Sequence, residues 1–109
     1  MNTSSHYLNV CADTWMQCES LLQSISQKQT SYSYRTTQVL DECANICLGT
    51  MEAVKEGWKD LNQMALLCVG LCEECAEVCE RYSDTQFKRC AEFCKQCSAT
   101  LSQLASEAA

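Results

Sequence analysis

Cysteine recurs through this chain at helical spacing. Cys68, Cys72, Cys75 and Cys79 are separated by 4, 3 and 4 residues, and Cys90, Cys94 and Cys97 by 4 and 3. At 100° per residue the first set falls within about 60° of arc, so on an α-helix its four thiols face one way. Cys43 and Cys47 form an i, i+4 pair, and Cys11 and Cys18 lie a heptad apart. The backbone-breaking residues agree: proline is absent and glycine occurs 3 times. A chain so poor in turn formers cannot supply the many sharp reversals of a loop-rich knot or a β-sandwich, and long helices remain.

Four segments carry a 3.6-residue apolar period, at about 6–27, 33–56, 60–81 and 84–105. The breaks between them hold capping chemistry. Ser31 or Ser33 is positioned to cap the second segment, and Gly57 to end it in a left-handed turn. Asp60 with Gln63, and Ser83 with Gln86, have the three-residue offset of a capping box. Helices of ~22 residues are roughly 33 Å long, and short connections force neighbours to run antiparallel. The expectation is an all-α chain: one domain over 1–109, folded as an antiparallel up-down-up-down four-helix bundle.

Eleven Leu, five Val, two Ile and two Phe make 20 of 109 residues, about 18%, a thin supply for a core. The 11 cysteines bring it to 31. Free cysteine packs as a small buried hydrophobe, so the cysteines themselves line the predicted core. Counting residues from the end that holds the first and third turns gives layers. Cys79 comes first, then Cys75 with Cys90, and a middle layer of Cys18, Cys43, Cys72 and Cys94. Cys47, Cys68 and Cys97 follow, and Cys11 comes last, near Met51 and Met64. The column spans roughly 20 to 25 Å of bundle axis.

Disulfides fit such a column badly. The count is odd, and thiols at i, i+3 or i+4 have Cβ atoms ~5 to 6 Å apart, beyond the ~3.8 Å of a disulfide. Cys72, Cys75 and Cys79 echo the end of a bacterial ferredoxin run, but Glu80 stands where that run has Pro. Cys72 and Cys75 also lie inside a helix, whereas a thioredoxin-type CxxC opens one after a strand. Cu(I) fits best: it favours thiolate and thioether and accepts few ligands, so sulfurs from adjacent turns or facing helices suffice. About one Cu(I) per thiolate also leaves the core nearly neutral. Zn2+ is the closest rival; it prefers a tetrahedron, which the middle layer alone obviously offers. An iron-sulfur electron carrier and a thiol redox or purely structural helical module stay open beside these.

The segment CVGLCEECAEVCE, a short polar turn and then CAEFCKQCSATL resemble the bacterial copper storage proteins, Cys-lined four-helix bundles once labelled ferredoxin-like. The resemblance covers nearly the whole chain and is densest from Cys68 to Cys97. It implies many Cu(I) ions bound by Cys thiolates inside the bundle. It also implies an entrance at an end where Met and sometimes His gather, and a homo-oligomer, often a tetramer. The chain departs from the pattern in having only four Cys in its first two helices and a single His, His6.

The metal-ligand set is therefore all eleven cysteines, with Met51 and Met64 as secondary ligands near the chain termini. As lone residues both methionines read more readily as gap-filling core than as thioether ligands, and the plain reading of His6 is an exposed side chain. Met16 points away from the stripe. Trp15 borders it, Trp58 falls in a turn, and Tyr32, Tyr34 and Trp58 are exposed aromatics available to an oligomer interface. Glu73, Glu74, Glu77 and Glu80 form a solvated face. No Ser-His or Cys-His pair, phosphate loop or inward carboxylate pair is present, so no enzyme is expected. The net charge of -6 argues against a nucleic-acid partner or an anionic membrane surface. With no run of 18 apolar residues and no basic, apolar leader at Met1 to Val10, the expected location is cytoplasmic, where thiols stay reduced.

Overall fold

The structure is a computed structural model, described over residues 3–27 and 32–108. Four helices account for almost all of it: α1 (Thr3–Gln27), α2 (Tyr34–Glu56), α3 (Leu61–Glu80) and α4 (Thr85–Ala108). They form an antiparallel bundle measuring 43 × 24 × 20 Å. Each helix packs on its chain neighbours, and α4 returns beside α1 to close the ring. The two diagonal pairs meet only through side chains in the middle.

The breaks lie where the sequence places them, with some of the capping chemistry reassigned. Ser33 caps α2, its hydroxyl accepting the Thr36 N–H at 3.2 Å, while Ser31 lies outside the described residues. Gly57 ends α2 at φ 66, ψ 49, a left-handed conformation that glycine adopts without a Cβ penalty. Asp60 stands at the N-cap of α3, but its side chain makes no capping hydrogen bond, so the box with Gln63 does not form. At α4 the cap is Asp84 rather than Ser83: the Asp84 carboxylate accepts the Gln86 N–H at 2.8 Å. An anionic acceptor at a helix N-terminus bonds more strongly than a hydroxyl would.

The core follows the stripes. α1 buries Tyr7, Cys11, Thr14, Cys18, Leu21 and Ile25, a run at alternating steps of four and three residues. The thiols occupy the middle of the bundle, and larger side chains close it at both ends. Beyond Cys79 and Cys90, Tyr82 stacks on Phe87 with ring centroids 4.3 Å apart, and Tyr32 tilts against both. The Tyr82 hydroxyl is 2.7 Å from that of Thr36. Tyr32 is thus a half-buried packing residue, not the exposed aromatic the sequence suggested. At the opposite end Leu101 and Leu104 are buried, and Tyr7 donates a 2.8 Å hydrogen bond to Glu107, tying α1 to α4.

The acidic run of α3 is solvated and paired. Glu74 meets Arg35 at 2.6 Å, Glu77 meets Arg81 at 3.3 Å, and Glu80 pairs with Lys95. Such exposed pairs contribute ~0 to 1 kcal/mol each, so they tune the surface rather than hold the bundle.

Candidate metal centre

All eleven cysteines are free and fully buried, each at 0% exposure. Helical periodicity turns every one inward, and the bundle then sets their relative heights. Close sulfur contacts run along the axis: Cys68 to Cys72 at 3.9 Å, Cys72 to Cys43 at 3.7 Å, Cys43 to Cys94 at 3.9 Å, and Cys18 to Cys90 at 3.9 Å. These are contacts between thiols, far longer than the ~2.05 Å of a disulfide bond.

Three groups have all their sulfurs within 4.8 Å of one another: Cys18, Cys43, Cys75 and Cys94; Cys47, Cys68, Cys72 and Cys97; and Cys75, Cys79 and Cys90. Cys75 belongs to two of them. Cys11 lies outside the groups but interacts with Cys68 and Cys97, which makes the column continuous from Cys11 to Cys79.

The layers differ from a count of residues. Cys75, not Cys72, joins Cys18, Cys43 and Cys94, and Cys72 drops to the level of Cys47, Cys68 and Cys97. Side chains lean toward the N-terminus of their own helix. Thiols of α1 and α3 are therefore displaced one way along the axis and those of α2 and α4 the other, which shifts the match by about one rung.

The two quartets are cages rather than flat rings. Non-bonded heavy atoms touch at about 3.5 Å, and a square of that side already has a diagonal of about 4.9 Å. Four sulfurs that all lie within 4.8 Å therefore cannot share a plane. With metal–sulfur bonds of about 2.3 Å, a tetrahedral edge is about 3.8 Å and a linear S–metal–S unit about 4.6 Å. The spacing thus accommodates both low and tetrahedral coordination.

Contacts among the thiols dominate their protonation, and burial pushes every one of them upward. Cys68 accepts hydrogen bonds from Cys11, Cys47 and Cys72 and falls to about 6. At Cys79 the hydrogen bond with Cys75 favours the thiolate, but the one with Cys90 and burial outweigh it and push the thiol up to about 12. Cys43, Cys90 and Cys97 are likewise lowered, while Cys11, Cys18, Cys47, Cys72, Cys75 and Cys94 are raised. Each lowered thiol depends on neighbours that keep their protons, so at neutral pH the raised thiols, the greater part of the column, are protonated.

The seven raised groups hold their protons in the fold where the unfolded chain releases them, so they stabilise the fold below the ordinary thiol pKa of 9.0. That stability is lost as pH rises through their folded values. The urea midpoint of reduced, metal-free protein is expected to fall from about pH 9 to about pH 10.5, where the seven raised groups outweigh the four lowered ones. A flat profile would contradict a protonated column.

Met51 and Met64 are both half-buried and line different grooves. Met51 lines a groove between α1 and α2 with Leu8, Ala12 and Leu48. Met64 lies against Gly49, with its Sδ 3.9 Å from the position a Cβ would take, in a second groove with Trp58 and Leu67. His6 is exposed, its ring 6.1 Å from that of Tyr7, and belongs to none of the three groups. Met16 is 53% exposed, as its place off the stripe requires, and Trp15 packs on the core's edge.

Sequence periodicity did not reveal that Leu66 and Leu67 would stand 59% and 55% exposed on α3. Nor did it mark Thr14 as the fully buried core residue between Cys11 and Cys18. The Thr14 hydroxyl proton is shared between the carbonyls of Val10 and Phe93, at 2.8 and 3.3 Å. The heptad step from Cys11 to Cys18 was the available signal for it.

Among the described residues no helix is long and apolar enough to cross a membrane. The fold superimposes on that of the Cu(I)-bound copper storage protein BsCsp3 with a TM-score of 0.91 at 20% sequence identity. The match covers 95% of this chain and 99% of that one. Among curated proteins, no sequence matches. The profile of the copper storage proteins matches residues 1–106, the stretch that carries every thiol of the column. The chain belongs to the copper storage protein family.

Proposed function

We propose that this chain stores Cu(I), that the eleven cysteines are its ligands and that the column fills to about one Cu(I) per thiolate, as storage rather than catalysis. The observation that carries this reading is the continuity of the column. Every thiol is within reach of another, so ions can share bridging sulfurs along the whole axis. Charge points the same way, because monovalent ions matched one to one with thiolates leave a buried column nearly neutral. Met51 and Met64 serve as secondary thioether contacts in the grooves flanking α2, and neither they nor His6 adds to the stored load.

Anaerobic titration of reduced protein with Cu(I), followed by sulfur-to-copper ultraviolet absorption and competition with a chromophoric chelator, tests the capacity. Saturation near 11 ions per chain is expected, from the 11 cysteines. An endpoint at one or two ions would replace the storage column with a discrete site. Because metal binding displaces protons from the protonated thiols, uptake in weak buffer acidifies the solution.

A reducing compartment such as the cytoplasm suits a protein whose thiols must stay free, and the chain works there as a homo-oligomer. Leu66, Leu67 and Trp58 leave apolar surface on α3 and the turn before it, Leu48 adds more on the α1–α2 side, and Tyr34 is 79% exposed at the start of α2. Sedimentation is expected to give a species larger than one 12.2 kDa chain. Leu66→Glu with Leu67→Glu should shift it to the monomer with little loss of helicity. A wild-type monomer at micromolar concentration would refute this part.

A further inference from the structure

The two quartets are disjoint and both are cages, yet they are built differently. Cys47, Cys68, Cys72 and Cys97 take two sulfurs from one turn of α3 and none from α1, whose core residue at this level is Thr14. The Thr14 hydroxyl is committed to backbone carbonyls, so it offers no ligand there. Cys18, Cys43, Cys75 and Cys94 take one sulfur from each helix. Diagonal partners in an antiparallel bundle run parallel to each other and opposite to the other diagonal. Their side chains lean accordingly, so four thiols from four corners reach a common centre as two opposed pairs, which is the arrangement of a tetrahedron.

We propose that the copper-free chain binds a single divalent cation of the Zn2+ class at Cys18, Cys43, Cys75 and Cys94, in tetrahedral tetrathiolate coordination. This does not rest on the copper reading, because it uses one rung of the column and a different ion. The ion displaces the protons these thiols carry as the four thiolates form, leaving a complex of net charge -2. Two neighbouring thiols lie against that complex, Cys72 at 3.7 Å from Cys43 and Cys90 at 3.9 Å from Cys18, and both can donate S–H hydrogen bonds to it. A second divalent ion in the other quartet would place a like-charged complex in direct contact, through Cys43 and Cys72, within a dry core. That repulsion restricts the chain to one ion.

Co2+ is the probe, since its visible bands report tetrahedral sulfur coordination, and Zn2+ then displaces it. Reduced, copper-free protein is expected to bind one Co2+ per chain with the intense bands of a four-sulfur tetrahedron. Cys94→Ser removes a ligand of this quartet alone and should weaken binding by roughly 100-fold or more, beyond what loss of an outer partner costs. Cys97→Ser removes a thiol of the other quartet alone and should leave affinity and spectrum unchanged. Far-ultraviolet circular dichroism checks that both variants fold, and Cys94→Ala replaces Cys94→Ser if the hydroxyl disturbs the core. Two equivalent ions, a spectrum without tetrahedral sulfur bands, or loss on Cys97→Ser with retention on Cys94→Ser would each overturn the assignment. Cu(I) capacity, measured separately on wild-type protein, tells failure of this site from failure of storage.

Discussion

Cu(I) loading is expected to raise the melting temperature of the reduced protein by 20 °C or more. An ion that binds only the folded column, at 100 times its dissociation constant, contributes about 2.7 kcal/mol. In a domain near 100 residues each kcal/mol moves the midpoint by about 4 to 8 °C. Two independently bound ions already reach the expected shift, and a filled column carries several more. The effect is large because the thiols of one rung come from helices far apart in sequence, such as Cys18 and Cys94, and the unfolded chain does not hold them together. Anaerobic calorimetry with and without Cu(I) measures it. A melt unchanged by the metal would mean that the thiols serve packing alone.

Phe87→Ala is expected to destabilise the metal-free bundle by about 3 to 5 kcal/mol, a large part of the 5 to 15 kcal/mol typical of a domain. Few large side chains are fully buried here; Phe87, Leu21, Leu40 and Leu101 lead them, because the thiols occupy the middle. Small thiols bury little area apiece, so the ends of the bundle carry a disproportionate share of its apolar burial. Phe87 sits against both Tyr82 and Tyr32, at centroid distances of 4.3 and 5.5 Å, and its removal costs each of those rings one of its partners. Urea unfolding should show the drop, with Phe87→Leu costing less than about 1.5 kcal/mol because it keeps most of the volume. Equal midpoints for wild type and Phe87→Ala would show that the ring cluster is peripheral to stability.

The two effects oppose each other along one axis. A filled thiol column contributes stability at the centre of the bundle, while the ring cluster and the Leu101 end contribute it where no thiols stand. Cu(I) should therefore recover much of the loss in Phe87→Ala, and the recovery should scale with the number of ions bound.

Several features were legible before any fold was known. Cys68, Cys72, Cys75 and Cys79 share one arc whatever packs beside them, because the period of an α-helix is local. Gly57 and Ser33 acted as written, since left-handed backbone and a hydroxyl at an N-cap are also local chemistry. Asp60 is the instructive exception: it holds the N-cap position without the hydrogen bond, because its own backbone, at φ -95 and ψ 24, is not the extended form that aims a capping side chain inward. Tyr32 was misjudged because the ring partners that bury it, Tyr82 and Phe87, come from the far side of the chain.

Periodicity, the absence of proline and the count of thiols determined an all-α, four-helix bundle with cysteines facing its axis, and with it the class of soft metal such an axis attracts. Which thiols share a cage was decided only in three dimensions, where Cys75 displaces Cys72 from the rung of Cys18, Cys43 and Cys94. The reason is that a helix sets the direction of its own side chains through bonds three and four residues away. The height at which those side chains meet across a bundle depends instead on how antiparallel helices slide and lean against one another, which no local spacing encodes.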